Sequence, residues 1–194
     1  RARLEADGQR IIGVDIRDAE VVADLGTAEG RARALAEVSA LSGGAIDGLA
    51  TCAGIPGLPG APGSRVVSIN YFGSIALLSG LRPLLAAGER PAAVAISSNS
   101  TTCQPGVPMD VVDLCLADDE TAAGAAADAA GALATYPATK TAIARWARRH
   151  ATAAGCLKTF ATREQDGLVY VFVGDNARGP RRDPFPVPYW SAPE

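Results

Sequence analysis

Four short apolar runs, each closed by polar or small residues, constrain this chain more than any other feature. They fall at 9–18 ("QRIIGVDIRD"), 20–25 ("EVVADL"), 45–54 ("AIDGLATCAG") and 91–102 ("PAAVAISSNSTT"). Runs of this length, rich in Val and Ile and bounded by turn residues, read as buried strands. Helical spacing separates the second run from the third and the third from the fourth. "TAEGRARALAEVSAL" (27–41) opens on an N-cap candidate, Thr27, and closes at "SGG", while 64–88 reads as one long helix. Beyond the fourth run, an irregular stretch leads to an Ala-rich helical segment (118–134) and then to a helix from Tyr136 that Gly155 ends. Residues 1–8 read as the end of an amphipathic helix stopped by Gly8.

Strands joined through helices require right-handed crossovers, and hence a parallel sheet covered on both faces. The fold class expected is α/β, a Rossmann-like doubly wound sheet. Ligands of such sheets sit beyond the carboxyl ends of the strands. The notable polar and small residues fall there: Asp15 after the first run, Asp24 after the second, Cys52, Ala53 and Gly54 after the third, and Ser98 after the fourth.

Composition narrows the function. A net charge of −3 gives no electrostatic case for nucleic acid or an anionic membrane, and the short basic stretch in "ARGPRRDPF" reads as solvated linker. No apolar run approaches the roughly 18–20 residues that a spanning helix needs. The four cysteines, Cys52, Cys103, Cys115 and Cys156, are scattered without a C-x-x-C pair, which fits a reduced, cytoplasmic protein. His150 is the one histidine, so the chain lacks raw material for a His-rich metal site, and no metal is implied.

One pair carries chemistry. Tyr136 stands four positions before Lys140, one of two lysines in 194 residues. On a helix, i and i+4 share a face. An ammonium held beside a phenol favours phenolate and lowers the phenol's pKa from about 10, which suits proton exchange with a substrate oxygen near neutral pH. An ordinary helix face bearing a Tyr and a Lys would look the same in isolation.

In this context the motifs resemble those of the short-chain dehydrogenases/reductases. "TCAG" (51–54) stands for the family's N-A-G turn, "SINYFG" (68–73) for its helix asparagine, "AISSNS" (95–100) for its serine strand, and "YPATK" (136–140) for its Tyr-Lys pair. The segment between Ser98 and Tyr136 resembles the insertion of a hydroxysteroid-active bacterial subgroup. The resemblance covers about residues 1–155. It implies an NAD(P)-dependent interconversion of an alcohol and a carbonyl, with a hydroxysteroid-like or other ketone as the small-molecule substrate. Tyr136 would be the general acid/base. Lys140 would assist it and bond the nicotinamide ribose, Ser98 would hold the substrate oxygen, and Asn70 would support a proton-relay water. Asp15, Ile16, Asp24, Leu25, Cys52, Ala53 and Gly54, with Tyr136 and Lys140, would line the cofactor. Asp15 argues for NAD over NADP, because a carboxylate accepts from a ribose hydroxyl and repels a 2′-phosphate; Arg17 nearby keeps NADP open. Oligomers are common in the family, so a homo-oligomer is admitted.

The pattern also breaks. The family's first strand and Gly-rich phosphate loop should precede residue 1, and no G-x-x-x-G-x-G occurs here. The expectation is a truncated dinucleotide-binding domain over 1–155, with the insertion at about 101–134, in a piece of a longer protein. Residues 156–194 match no part of the family and read as a divergent tail, one strand ("GLVYVFVG") and then Pro/Arg-rich coil. A shifted reading frame, an alternative end and a disordered tail all remain open for it. The competing functional reading is a non-catalytic relative, at most a weak nucleotide-binding or interaction module.

Overall fold

A computed structural model of the chain describes residues 1–89, 91–153, 162–165 and 168–171. Its architecture follows the expected alternation. Helix α1 (Ala2–Ala6) leads to strand β1 (Val14–Asp15), β2 (Val21–Val22), helix α2 (Ala28–Ser42) and strand β3 (Gly48–Thr51). A continuous helical rod follows: α3 (Gly63–Val67), one wide π turn (Ser68–Gly73) and α4 (Ser74–Gly80). Then come α5 (Arg82–Ala86), strand β4 (Ala92–Ala95), short α6 (Ser100–Cys103), α7 (Met109–Leu116), α8 (Glu120–Ala130) and the 22-residue α9 (Ala132–Ala153).

The α/β class is borne out, and its strand pairings are parallel: β1 with β2 in the register Val14↔Val21, and β3 with β4 in the register Gly48↔Ala92. Among the described residues, the two pairs share no hydrogen-bonded strand. They are joined instead through apolar packing. Val21, Ala23 and Leu25 meet Ala34 and Val38 of α2 and Leu77 and Leu81 from the end of the rod, with Val14 and Leu49 packed alongside. A second core lies beneath the rod, where α8 packs on α3 and α7 on α9. It gathers Val67, Tyr71 and Phe72 against Val111, Val112, Cys115, Ala127, Ala142 and Ile143. Of the described cysteines, Cys52 and Cys103 are exposed, while Cys115 is buried. Burial, with Glu120 nearby, pushes its thiol up to about 12, so it stays neutral in the core. Cys156 lies outside the described residues, as does Gly155.

The element ends explain several departures from the sequence reading. Thr27 does cap α2, its Oγ1 accepting from Gly30 N at 3.0 Å, and Gly43 ends the helix in the left-handed region at φ 73°. The long helix expected over 64–88 breaks at Leu81 instead. Pro83 has no N–H to give to Ser79 O, and it starts α5 at the position where proline is tolerated. The Ala-rich helix stops at Gly131, with φ 81°, so residues 132–134 belong to α9. The stretch read as irregular after β4 contains α6 and α7. Helix α1 is present but buries nothing, and Leu4 remains 51% exposed. In the tail, part of "GLVYVFVG" is a strand, Leu168–Val171. It pairs antiparallel with Thr162–Gln165, a partner not anticipated.

The loop after β3 is fixed by glycine. A side chain at Gly57 would collide with Ala132 O, and one at Gly63 with Ala127 O. Backbone therefore rests on backbone where this Pro/Gly loop crosses the α8–α9 junction.

Candidate active site

The sequence-predicted residues all gather at the carboxyl ends of the strands, in two groups. Asp15 is the last residue of β1, and Asp24 lies two past β2. Cys52 follows β3 directly, and Ser98 lies three past β4.

The β3–β4 group is built by burial. Asn70 sits in the π turn with no exposure. Its Oδ1 accepts from Ile55 N at 2.8 Å, and its Nδ2 donates to Ile55 O at 3.0 Å. This two-point clamp anchors the turn that carries Cys52, Ala53 and Gly54, which are themselves exposed. Gly54 is hemmed in: a Cβ there would lie 3.2 Å from Asn70 Oδ1 and 3.8 Å from Lys140 Nζ. The Asn70 amide thus uses one donor and one acceptor position on Ile55, while Lys140 lies just across Gly54.

Lys140 is 6% exposed, and its Nζ donates to Ile96 O at 3.0 Å. Its own backbone carbonyl accepts from Ser97 Oγ at 3.1 Å. The end of β4 therefore grips this residue at side chain and backbone together. Burial holds the ammonium below its ordinary value of 10.5, an effect that nearby Cys52 partly offsets. Lys140 Nζ stands 5.8 Å from the centre of the Tyr136 ring, as i, i+4 spacing on α9 requires. Tyr136 is half-buried.

Proline inside α9 explains a further contact. Pro137 offers no N–H to Leu133 O, and Gln104 Nε2 approaches that carbonyl at 3.5 Å. The segment after Ser98 is tied in this way to the turn before Tyr136. Ser98 is half-buried, and its Oγ accepts from Ser100 N at 3.2 Å, the capping role open to a serine at a strand end. A hydroxyl that accepts still has a proton to donate. At the α8–α9 junction opens a cleft of about 400 Å³ lined by Leu58, Pro59, Gly60, Ala61, Gln104 and residues 130–134, apolar except for the amide; Tyr136, Lys140 and Ser98 are not among its lining residues.

The β1–β2 group is open. Asp15 is exposed, its Oδ1 accepting from Ile16 N at 2.7 Å, and Ile16 is 61% exposed. Asp24 is half-buried. Its Oδ1 accepts from Gly26 N at 2.9 Å and its Oδ2 from Arg65 Nη2 at 3.0 Å, and both bonds keep its carboxyl below the usual range despite some burial. Leu25 is buried. Among the described residues, no cluster of three His, Cys, Asp or Glu could hold a metal. Also among them, no helix is long and apolar enough to cross a membrane.

No family model matches the chain. It is 52% identical over 98 residues, half of its length, to the 3-alpha-hydroxysteroid dehydrogenase/carbonyl reductase of Comamonas testosteroni. Its structure matches that of the 3-alpha-hydroxysteroid dehydrogenase from Pseudomonas sp. B-0831 complexed with NADH, with a TM-score of 0.74 and 38% identity over 78% of this chain. The chain is a relative of these dehydrogenases. The resemblance read from its motifs is borne out, as is the Rossmann-like class. The chain spans 38% of the length of the Comamonas enzyme and 59% of the Pseudomonas one.

Sequence reasoning passed over Ile96, Ser97, Gln104 and Arg65. Ser97 carried a signal, since two adjacent serines follow β4 and only the second was singled out. The other three act through contacts 29 to 44 residues apart, for which local pattern offers no sign.

Proposed function

We propose that the protein is an NAD-dependent oxidoreductase that interconverts an apolar secondary alcohol and its ketone. The observation that carries this reading is the buried Lys140 ammonium, held by Ile96 O and 5.8 Å from the Tyr136 ring. The residues present suit a dinucleotide. Gly54 leaves bare a niche bounded by Asn70 and Lys140, where a side chain would intrude, and an ammonium with one proton on Ile96 O has two more to donate to ribose hydroxyls. Asp15, exposed at the end of β1, suits the adenosine ribose.

Bound there, a nicotinamide would supply or take the hydride. In the reducing direction, Tyr136 gives its phenolic proton to the carbonyl oxygen; in the oxidising direction, it takes one from the alcohol. Lys140 opposes the negative charge left on the phenol oxygen, in a setting where burial strengthens the effect. Ser98 donates to the substrate oxygen and orients it. An apolar alcohol or ketone agrees with the hydroxysteroid and carbonyl substrates named for the Comamonas relative.

The competing reading, a non-catalytic relative that is at most a weak nucleotide-binding or interaction module, draws support from the two parallel pairs sharing no hydrogen-bonded strand among the described residues. Fluorescence titration with NADH and NADPH, followed by turnover of an apolar ketone by wild type and Tyr136→Phe, separates the two. The oxidoreductase reading expects NADH to bind more tightly than NADPH, and kcat to fall at least about 100-fold in Tyr136→Phe with NADH affinity kept. NADH binding without turnover would favour the nucleotide-binding module, and binding of neither nucleotide would sink the oxidoreductase reading and leave the interaction module.

A further inference from the structure

Asp24 has a partner that the proposed chemistry does not use. Arg65 lies 41 residues away on α3, and its Nη2 donates to Asp24 Oδ2 at 3.0 Å. Oδ1 accepts from Gly26 N at 2.9 Å. A carboxylate has about four acceptor positions, so these bonds leave two open. The backbone of Asp24 is fixed from the other side. Thr27 Oγ1 donates to its carbonyl at 3.1 Å, and Gly30 packs so closely on that carbonyl that no side chain would fit. What remains to be set is the direction of the carboxylate.

The ion pair is also seated rather than loose. Gly26 lies beneath it, and a Cβ at that glycine would fall 2.9 Å from Ile69 Cγ1, 3.0 Å from Arg65 Nη1 and 3.1 Å from Asp24 Oδ1. The guanidinium thus rests on a glycine turn, with one edge on the carboxylate. Both side chains keep partial access to solvent, at 45% for Arg65 and 37% for Asp24, so a ligand can reach the carboxylate while the pair stays formed.

We infer that Arg65 is a positioning residue for the adenine end of a dinucleotide. It turns the Asp24 carboxylate so that the open acceptor positions receive the exocyclic amine. The inference rests on the dinucleotide reading proposed above. An exposed ion pair contributes little to stability, so its consequence belongs in ligand affinity.

NADH dissociation constants for wild type, Arg65→Met, Asp24→Asn and the double variant test this, with Arg65→Lys as the conservative change. Arg65→Met is expected to weaken NADH roughly tenfold, the scale of one misdirected hydrogen bond to a charged group. Arg65→Lys should recover most of that loss. The double variant should bind no more weakly than Asp24→Asn alone, because Arg65 acts through Asp24. Unchanged binding in Arg65→Met would overturn the inference and leave the pair purely structural. Losses that multiply in the double variant would also overturn it, since Arg65 would then touch the ligand by itself. Should Arg65→Met fail to fold, Arg65→Gln, which also removes the charge, decides within the Asp24→Asn cycle by the same criterion. A wild type that binds no NADH refutes the dinucleotide reading and the inference with it, whereas a normal wild type beside unaffected variants refutes the inference alone.

Discussion

At the β3–β4 end of the strand edge, Asn70 and Lys140 are 0% and 6% exposed, and each side chain is bonded to backbone. At the β1–β2 end, Ile16 and Val22 are 61% and 48% exposed, and the strands are two residues long. The difference agrees with the tasks proposed for the two ends. A group that handles a proton gains from a fixed, desolvated setting, where neighbouring charges act strongly. A carboxylate that receives a ribose hydroxyl or an amine needs access more than enclosure. Burial at the first end also comes from elements that cross it: the π turn, the Pro/Gly loop and α9 all converge on Gly54. No such convergence encloses Asp15.

This contrast can be broken at its most crowded point. Gly57→Ala should destabilise the protein by about 2–3 kcal/mol, because the new methyl meets Ala132 O across a backbone-on-backbone contact. Val22→Ala, at the open end, should stay within about 0.5 kcal/mol. Urea unfolding midpoints with slopes compared would read both. Equal losses would mean that the two ends are packed alike.

A somewhat smaller effect is expected from Asn70→Ala. It leaves Ile55 N and Ile55 O without their partners and should cost about 2 kcal/mol. Asp15→Ala, by contrast, should leave stability nearly unchanged. Thermal melts of the two variants side by side would settle whether the asparagine clamp is worth more than an open carboxylate.

The subtlest test uses pH. Burial lowers the folded-state pKa of Lys140 below 10.5. Below that folded value the ammonium is charged in both states, and the cost of burying it is fully present. Between the folded value and 10.5 the unfolded chain binds more protons, so stability rises with pH. Wild type should therefore gain on Lys140→Met as pH climbs toward 10.5, in denaturation curves taken at several pH values. A difference that stays flat would mean that the ammonium is effectively solvated.

Much of the fold was legible because its signals are local. The Thr27 cap and the Gly43 stop lie within a turn of the helix they bound, and the strand runs alternate with helical spacing as a parallel sheet requires. The break at Pro83 was readable from the missing N–H alone, yet apolar periodicity on both sides concealed it. Strand lengths were overestimated because apolar character marks where a strand can form, while pairing partners decide how much of it does. The π turn at Asn70 had no local signature. It exists where the asparagine side chain reaches Ile55, 15 residues earlier in the chain.

The sequence by itself determined the class of fold, the order of its elements, and the Tyr136–Lys140 pair, since four residues on a helix make neighbours wherever that helix lies. Tertiary structure decided which groups became buried and paired. Lys140 meets Ile96 and Ser97 across 44 and 43 residues, and Arg65 meets Asp24 across 41. The physical reason is that periodicity and capping are written within a few residues, whereas desolvation and long-range hydrogen bonds arise only when separate elements pack.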